Sequence, residues 1–335
     1  MIRDILLAAA ISFVVTVIVG SFLIPKLRKM KAGQQIREDG PTWHMAKQGT
    51  PTMGGIMFIV GIAVAGLVVG LPAMREGQFG FLIVFLFALI YAIIGFLDDW
   101  EKVKKKQNLG LTAAQKFILQ LVVAIALVLV LRSLGFLSPN LYVPFFGVTW
   151  YLPDAVYLVF ASFVIVGTVN AVNITDGVDG LVTGVSLPVA LCYVALAAAW
   201  GANYQDLGTF GAALFGGLAA FLIFNFNPAK VFMGDTGSLF LGGAVCGLAF
   251  AMNIPLILLP LGLIYIAEVM SDIVQVAYYK ITGGKRFFKM APLHHHFEMG
   301  GWSGKKRSEK WIFTVFTTIS AICAVIAYFS MHARH

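Results

Sequence analysis

The chain has 335 residues, 59% of them hydrophobic and only 12% charged. Soluble domains carry about a quarter charged residues, so an ordinary soluble enzyme is excluded and a polytopic membrane protein is described. The formal charge of +8 calls for no nucleic acid, because lysine and arginine collected on the cytoplasmic side of a membrane account for it.

Span one covers about residues 5–24, closed by Pro25. It is long enough to cross and lacks a clear cleavage site, so it reads as a helix rather than a signal peptide. A basic segment follows with Lys26, Arg28, Lys29, Lys31, Arg37 and Lys47. The stretch GTPTMGG turns into span two, about 56–71, which Pro72 ends. Span three is an apolar run from Phe79 into Asp98 and Asp99, followed by Lys102, Lys104, Lys105 and Lys106. Asn108, Leu109 and Gly110 turn the chain, and Thr112 caps span four, about 112–131.

The linker 132–153 is aromatic and contains proline. Spans five to eight cover about 155–172, 181–200, 207–224 and 239–252, the last short and glycine-rich. Span nine runs from about 255 to 279 and span ten from 311 to 329, with the longest polar segment between them. The fold class is therefore all-α, with ten transmembrane helices. Ten spans put both termini on one side. The loops after spans one, three, five, seven and nine hold 20 of the 24 lysines and arginines. The positive-inside rule places those loops in the cytoplasm and both termini outside. No repeat or separate soluble domain is visible, so 1–335 reads as one domain. Cys192, Cys246 and Cys323 lie in apolar spans without metal spacing.

The cytoplasmic loops also hold nearly all the side chains capable of chemistry. Asp98 and Asp99 point about 100° apart on a helix, so one can bind a cation while the other orients a nucleophile. An acidic helix end before lysines is the plain alternative. In NAVNITDGVDG, Asn170, Asn173, Asp176 and Asp179 recur every third residue. Gly177 and Gly180 end the helix within this strip and leave amides free for a phosphate or a base. A simple turn also explains the DG pairs. After span seven come Asn225, Asn227, Lys230 and Asp235. Asp235 in GDTGS suits Mg²⁺ or a helix cap, and the absence of GK[ST] rules out a P-loop claim. His294, His295 and His296 cannot share one helical face, and their spacing is not that of a zinc site. Imidazole donors suit phosphate or proton transfer. Glu268 and Asp272 lie one helical turn apart in span nine, where structural pairing slightly outweighs chemistry. Lys47 and Lys116 sit beside span entrances as phosphate contacts or topology signals. Together these groups suit phosphoryl transfer between a soluble donor and a membrane-held acceptor. A transporter is the rival, but its polar groups belong at mid-membrane.

LDDW, LTAAQKF, NAVNITDGVDGL, NPAKVFMGDTGSL and KMAPLHHHFEMGGW resemble the polyprenyl-phosphate N-acetylhexosamine-1-phosphate transferase family over essentially the whole chain. PLHHHFE resembles its MurNAc-pentapeptide branch rather than its GlcNAc-1-phosphate sibling. The resemblance implies a ten-helix bacterial inner-membrane enzyme, often dimeric, with a cytoplasmic site. It implies Mg²⁺-dependent transfer of phospho-MurNAc-pentapeptide from UDP-MurNAc-pentapeptide to undecaprenyl phosphate, giving lipid I and UMP. It makes Asp98, Asp99, Asp235, His294 and His295 catalytic, with Asp235 and Asp176 at the metal. It sets Lys47, Lys116, Asn173, Asp176, Asp179, Asn225 and His296 against substrate.

Overall fold

The computed structural model describes residues 2–30, 47, 49–105 and 110–332. The basic positions Lys31, Arg37 and Lys106 and the turn at Asn108 and Leu109 lie outside the described residues. Helix α1 is Ile2–Lys29. It continues through Pro25 rather than ending there, and Lys26, Arg28 and Lys29 complement the negative end of its dipole. α2 is Ile56–Arg75, with a π-helical turn at Gly66–Gly70. α3 is Gly80–Lys105 and α4 is Ala113–Ser133. Thr112 begins α4 with a reciprocal capping box to Gln115, an arrangement that contributes about 1 kcal/mol.

The linker departs from the all-helical expectation. It forms an antiparallel hairpin of β1 (Asn140–Val143) and β2 (Val148–Tyr151), with Asn140 opposite Tyr151. Then come α5 (Asp154–Thr175), α6 (Leu181–Trp200), α7 (Ala202–Asn225) and α8 (Gly234–Ala251). Span nine is not continuous. α9 (Pro255–Leu261) and α10 (Leu263–Ile281) meet at 80°. Pro260 removes a backbone donor and Gly262 weakens the helix at that corner. A short α11 (Leu293–Glu298) carries the histidines, and α12 is Glu309–His332. Among the described residues nine helices are long and apolar enough to cross a membrane, and the bent pair makes a tenth if counted as one span.

α8 is the centre of the bundle. Sixteen of its 18 residues are buried, so it faces protein rather than lipid, and glycine rather than bulk serves it. At Gly242 a Cβ would lie 2.7 Å from the Cα of Val169 on α5, so the two backbones touch as small-residue helix pairs do in membranes. α3 packs along α8, and α1 along α7. Gln120 of α4 ties its neighbours together. Its backbone carbonyl accepts from Tyr91 Oη at 2.8 Å and its side-chain oxygen from Asn170 Nδ2 at 2.6 Å. Asn170 therefore serves helix packing, while Asn173, one turn on, faces α8.

Candidate active site

α8 begins at Gly234, so the GDTGS segment is its first turn and not a loop before it. The reason lies on α3. One Asp99 oxygen accepts from the Thr236 amide at 2.9 Å and from its hydroxyl at 2.7 Å, and the other accepts from the Asp235 amide at 3.2 Å. A carboxylate thus caps the positive end of α8 from another helix. Asp98 and Asp99 are both buried. Asp98 points elsewhere, accepting from the Leu111 amide at 2.8 Å and pairing with Lys102 at 2.5 Å. Asp235 completes the group. Its Oδ2 pairs with Lys116 at 2.8 Å and Lys102 at 2.9 Å, and its Oδ1 accepts from Asn173 Nδ2 at 2.8 Å.

One oxygen from each of Asp98, Asp99 and Asp235 lies within 4.8 Å of the others. Three carboxylates closing on one point form a candidate metal-binding cluster. Its donors are all oxygen, which suits a hard cation and not zinc. In the described structure Lys102 and Lys116 offset part of this charge. Close approach of α3 to α8 makes the cluster possible. A Cβ at Gly95, one turn before Asp98 and Asp99, would lie 2.1 Å from the Asp235 carbonyl oxygen.

Asp176 ends α5 and is not one of the three clustered carboxylates. It lies close enough to feel them. Burial, followed by the charges of Asp235, Asp99 and Asp179, pushes its carboxyl well above the usual range. Asp179 belongs to a second cluster. Its Oδ1 pairs with Lys47 at 2.7 Å, and its Oδ2 accepts from Asn227 Nδ2 at 3.1 Å and the Ala229 amide at 2.9 Å. Glu309 joins them through one oxygen, which accepts from Lys47 at 2.6 Å and from the Asp179 amide and Asn227 Nδ2 at 3.2 Å each. Glu309 does not stand out in the sequence, because an acid opening a helix is an ordinary cap residue. Asn225 is turned into the fold, with its oxygen taken by Thr183 and its amide by the Val231 carbonyl, each at 3.0 Å.

The three histidines have three different surroundings. His294 is fully buried, its Nδ1 lies 3.0 Å from Glu268, and its ring packs on Gly177 of the DGVDG turn. His295 Nδ1 lies 2.6 Å from Glu298. His296 is buried beside Phe288 and Trp302, and its Nδ1 accepts from the Lys289 amide at 3.2 Å. Burial and then Lys289 hold its ring below the ordinary value.

Burial opposes charge on His294, but Glu268 outweighs it, so the ring stays protonated above its ordinary value of 6.5. The Glu268–His294 pair therefore stabilises fully below about pH 6.5 and weakens as pH rises through the raised value. Glu268→Gln is expected to destabilise the protein by about 1–3 kcal/mol near pH 6. The gap to the parent should narrow toward pH 9, as thermal unfolding in detergent would record. An equal gap at both pH values would dissociate the pair from His294 ionisation.

A glycosyl transferase family 4 model matches residues 81–253, from α3 through α8. A phospho-N-acetylmuramoyl-pentapeptide-transferase signature matches residues 47–59. A phospho-N-acetylmuramoyl-pentapeptide-transferase of Desulfitobacterium hafniense is 47% identical over 333 residues, covering 96% of this chain and 96% of the relative. The chain belongs to the phospho-N-acetylmuramoyl-pentapeptide-transferase family. A relative of the same description from Caldanaerobacter subterraneus subsp. tengcongensis is 44% identical over 99% of this chain and all of its own length. Another, from Clostridium acetobutylicum, is 42% identical over 98% of this chain and 99% of its own. The glycosyl transferase match contains the aspartate cluster and the DGVDG turn. The transferase signature begins at Lys47, which the structure joins to that turn through Asp179.

Proposed function

We propose that the protein transfers phospho-MurNAc-pentapeptide from UDP-MurNAc-pentapeptide to undecaprenyl phosphate, giving lipid I and UMP, the first membrane step of peptidoglycan synthesis. Family membership over nearly the whole chain supports this reaction. The single structural observation that supports it most is the meeting of Asp98, Asp99 and Asp235 beside Lys102 and Lys116 at a helix end. The cluster at a helix end suits a lipid phosphate held at the bilayer surface.

In this reading an oxygen of the lipid phosphate attacks the donor's sugar-linked phosphorus. The bond from that phosphorus to the bridging oxygen breaks, and UMP leaves with the electron pair. A phosphate monoester is largely ionised near neutral pH, so Asp98 orients it more than it deprotonates it. Asp99 fixes the first turn of α8 and thereby Asp235. Mg²⁺ bound by the aspartates would neutralise the donor diphosphate and the leaving phosphate. Lys102 and Lys116 can turn from carboxylate to phosphate oxygens. Asn173, Asp176, Asp179 and Lys47 border the place for the nucleotide. His294, packed on the DGVDG turn, and its neighbour His295 are suited to the diphosphate and sugar. Asn225 and His296 support these segments from within. The lysine and arginine split supports a reading with this end in the cytoplasm and both termini outside, as one domain in the bacterial inner membrane. We also propose a homodimer.

The test uses purified protein in detergent. UMP release from UDP-MurNAc-pentapeptide should require polyprenyl phosphate and Mg²⁺, with mass detection of the lipid product. Inside-out vesicles should use added donor and right-side-out vesicles should not. Use of UDP-GlcNAc instead would move the chain to the sibling activity, and no lipid product from any sugar nucleotide would end the transferase reading.

A further inference from the structure

The hairpin between α4 and α5 takes no part in the site described above. It lies at the other end of the bundle, because α4 starts beside Asp98 and runs away from it. Its composition is unusual for a loop. No charged residue occurs between Arg132 and Asp154, yet the segment holds Phe136, Tyr142, Phe145, Phe146, Trp150 and Tyr151. The two strands are used differently. Leu141 and Tyr142 of β1 are buried, whereas every residue of β2 is exposed. Phe146 is 78% exposed, Trp150 57% and Tyr151 77%.

Two physical limits fix what covers this face. Bulk water is a poor neighbour for adjoining exposed aromatics. Hydrocarbon is a poor neighbour for the backbone: the sheet has two strands, so neither strand has a further strand on its outer edge, and open sheet edges do not occur in a lipid core. The zone between these two satisfies both. Headgroups and their water can bond the strand edges, while the rings rest on the start of the acyl chains. Tryptophan and tyrosine concentrate at that depth. The flanking residues mark the same level, since Arg132 and Asp154 pair at 2.8 Å at the base of the hairpin. The helices that flank the hairpin also present exposed apolar residues near it, Leu134 and Val156 on either side and Phe329 near the end of α12. The hairpin is not a loose arm. Asn253 Nδ2 donates to Ser138 Oγ at 2.8 Å, and the Phe145 amide lies 3.4 Å from the Ser330 carbonyl.

We propose that the exposed aromatic turn and outer strand β2 of this hairpin form a phospholipid-binding surface, seated at the boundary of headgroups and acyl chains in the leaflet opposite the aspartates. It acts as a depth gauge. α3 has 26 residues and is about 39 Å long at 1.5 Å per residue. Fixing one end of the bundle against one leaflet therefore sets the level of Asp98 at the other.

The test is made on the full chain in phosphatidylcholine vesicles. Phe146→Cys and Trp150→Cys are spin-labelled, the three native cysteines being buried. Collision with oxygen, which favours lipid, should exceed collision with a water-soluble nickel chelate several-fold at both positions. Chelate collision dominating would put the face in water and overturn the proposal. Low collision with both reagents would show that protein covers it, a second copy or another chain, and would overturn it equally. A measurement without labels guards against misfolded variants. The fluorescence lost in Trp150→Phe should be quenched more by lipids brominated near the carbonyl end than near the chain terminus. Equal absence of quenching by both would also refute the lipid contact.

Discussion

Asp235→Asn is expected to lower transfer by on the order of 10²-fold or more, the loss of several kcal/mol of transition-state stabilisation. Asp235 is the residue on which the site's charges converge. It holds Lys102 at 2.9 Å, Lys116 at 2.8 Å and Asn173 at 2.8 Å, and shares the cluster with Asp98 and Asp99. Asparagine keeps the shape and removes one of three anionic donors. The magnesium requirement should move to higher concentration, and binding of Mn²⁺ alone, followed by electron paramagnetic resonance, should weaken in parallel. Unfolding temperature should change much less than turnover, because Asp99 rather than the Asp235 side chain caps α8. Unchanged turnover with an unchanged magnesium titration would remove Asp235 from the metal site.

Gly95→Ala should damage the same site without touching any functional side chain. The added methyl would sit 2.1 Å from the Asp235 carbonyl oxygen and 2.7 Å from the Thr236 amide nitrogen. Both neighbours are backbone, so no side chain can swing aside. α3 and α8 must separate, at a cost of about 1–3 kcal/mol or more, and the bonds from Thr236 and Asp235 to Asp99 lengthen. The expected result is a lower unfolding temperature together with weaker Mn²⁺ binding and severely reduced transfer. A variant with parental stability and metal affinity would show that the helices have slack there.

The spans were legible in sequence because a bilayer crossing needs a long apolar run, and such runs stand out in one dimension. α3, α4, α6 and α12 fall close to where the composition puts them. The start of α8 was misread, since its first turn is polar and is made helical by Asp99, 137 positions away from Thr236. The bend between α9 and α10 was also missed, because both halves are equally apolar and only Pro260 and Gly262 mark the corner. At the site, the residue types in DDW, DGVDG and GDTGS announced themselves as carboxylates at span ends. Their assignments to one another did not. Asn170 and Asn173 look alike in the strip, yet one meets Gln120 and the other Asp235.

By itself the sequence determined a polytopic helical membrane protein, an uneven distribution of positive charge between alternate loops, and the family. Those properties follow from hydrophobicity, charge and motif, each carried by neighbouring residues. Tertiary structure alone decided that Asp99 builds α8 while Asp98 meets Lys102, that Glu309 joins Lys47 and Asp179, and that the three histidines have separate surroundings. The physical reason is common to all three. A buried polar group must find a partner, and in this chain the partners come from helices far apart in sequence whose small residues let the backbones meet.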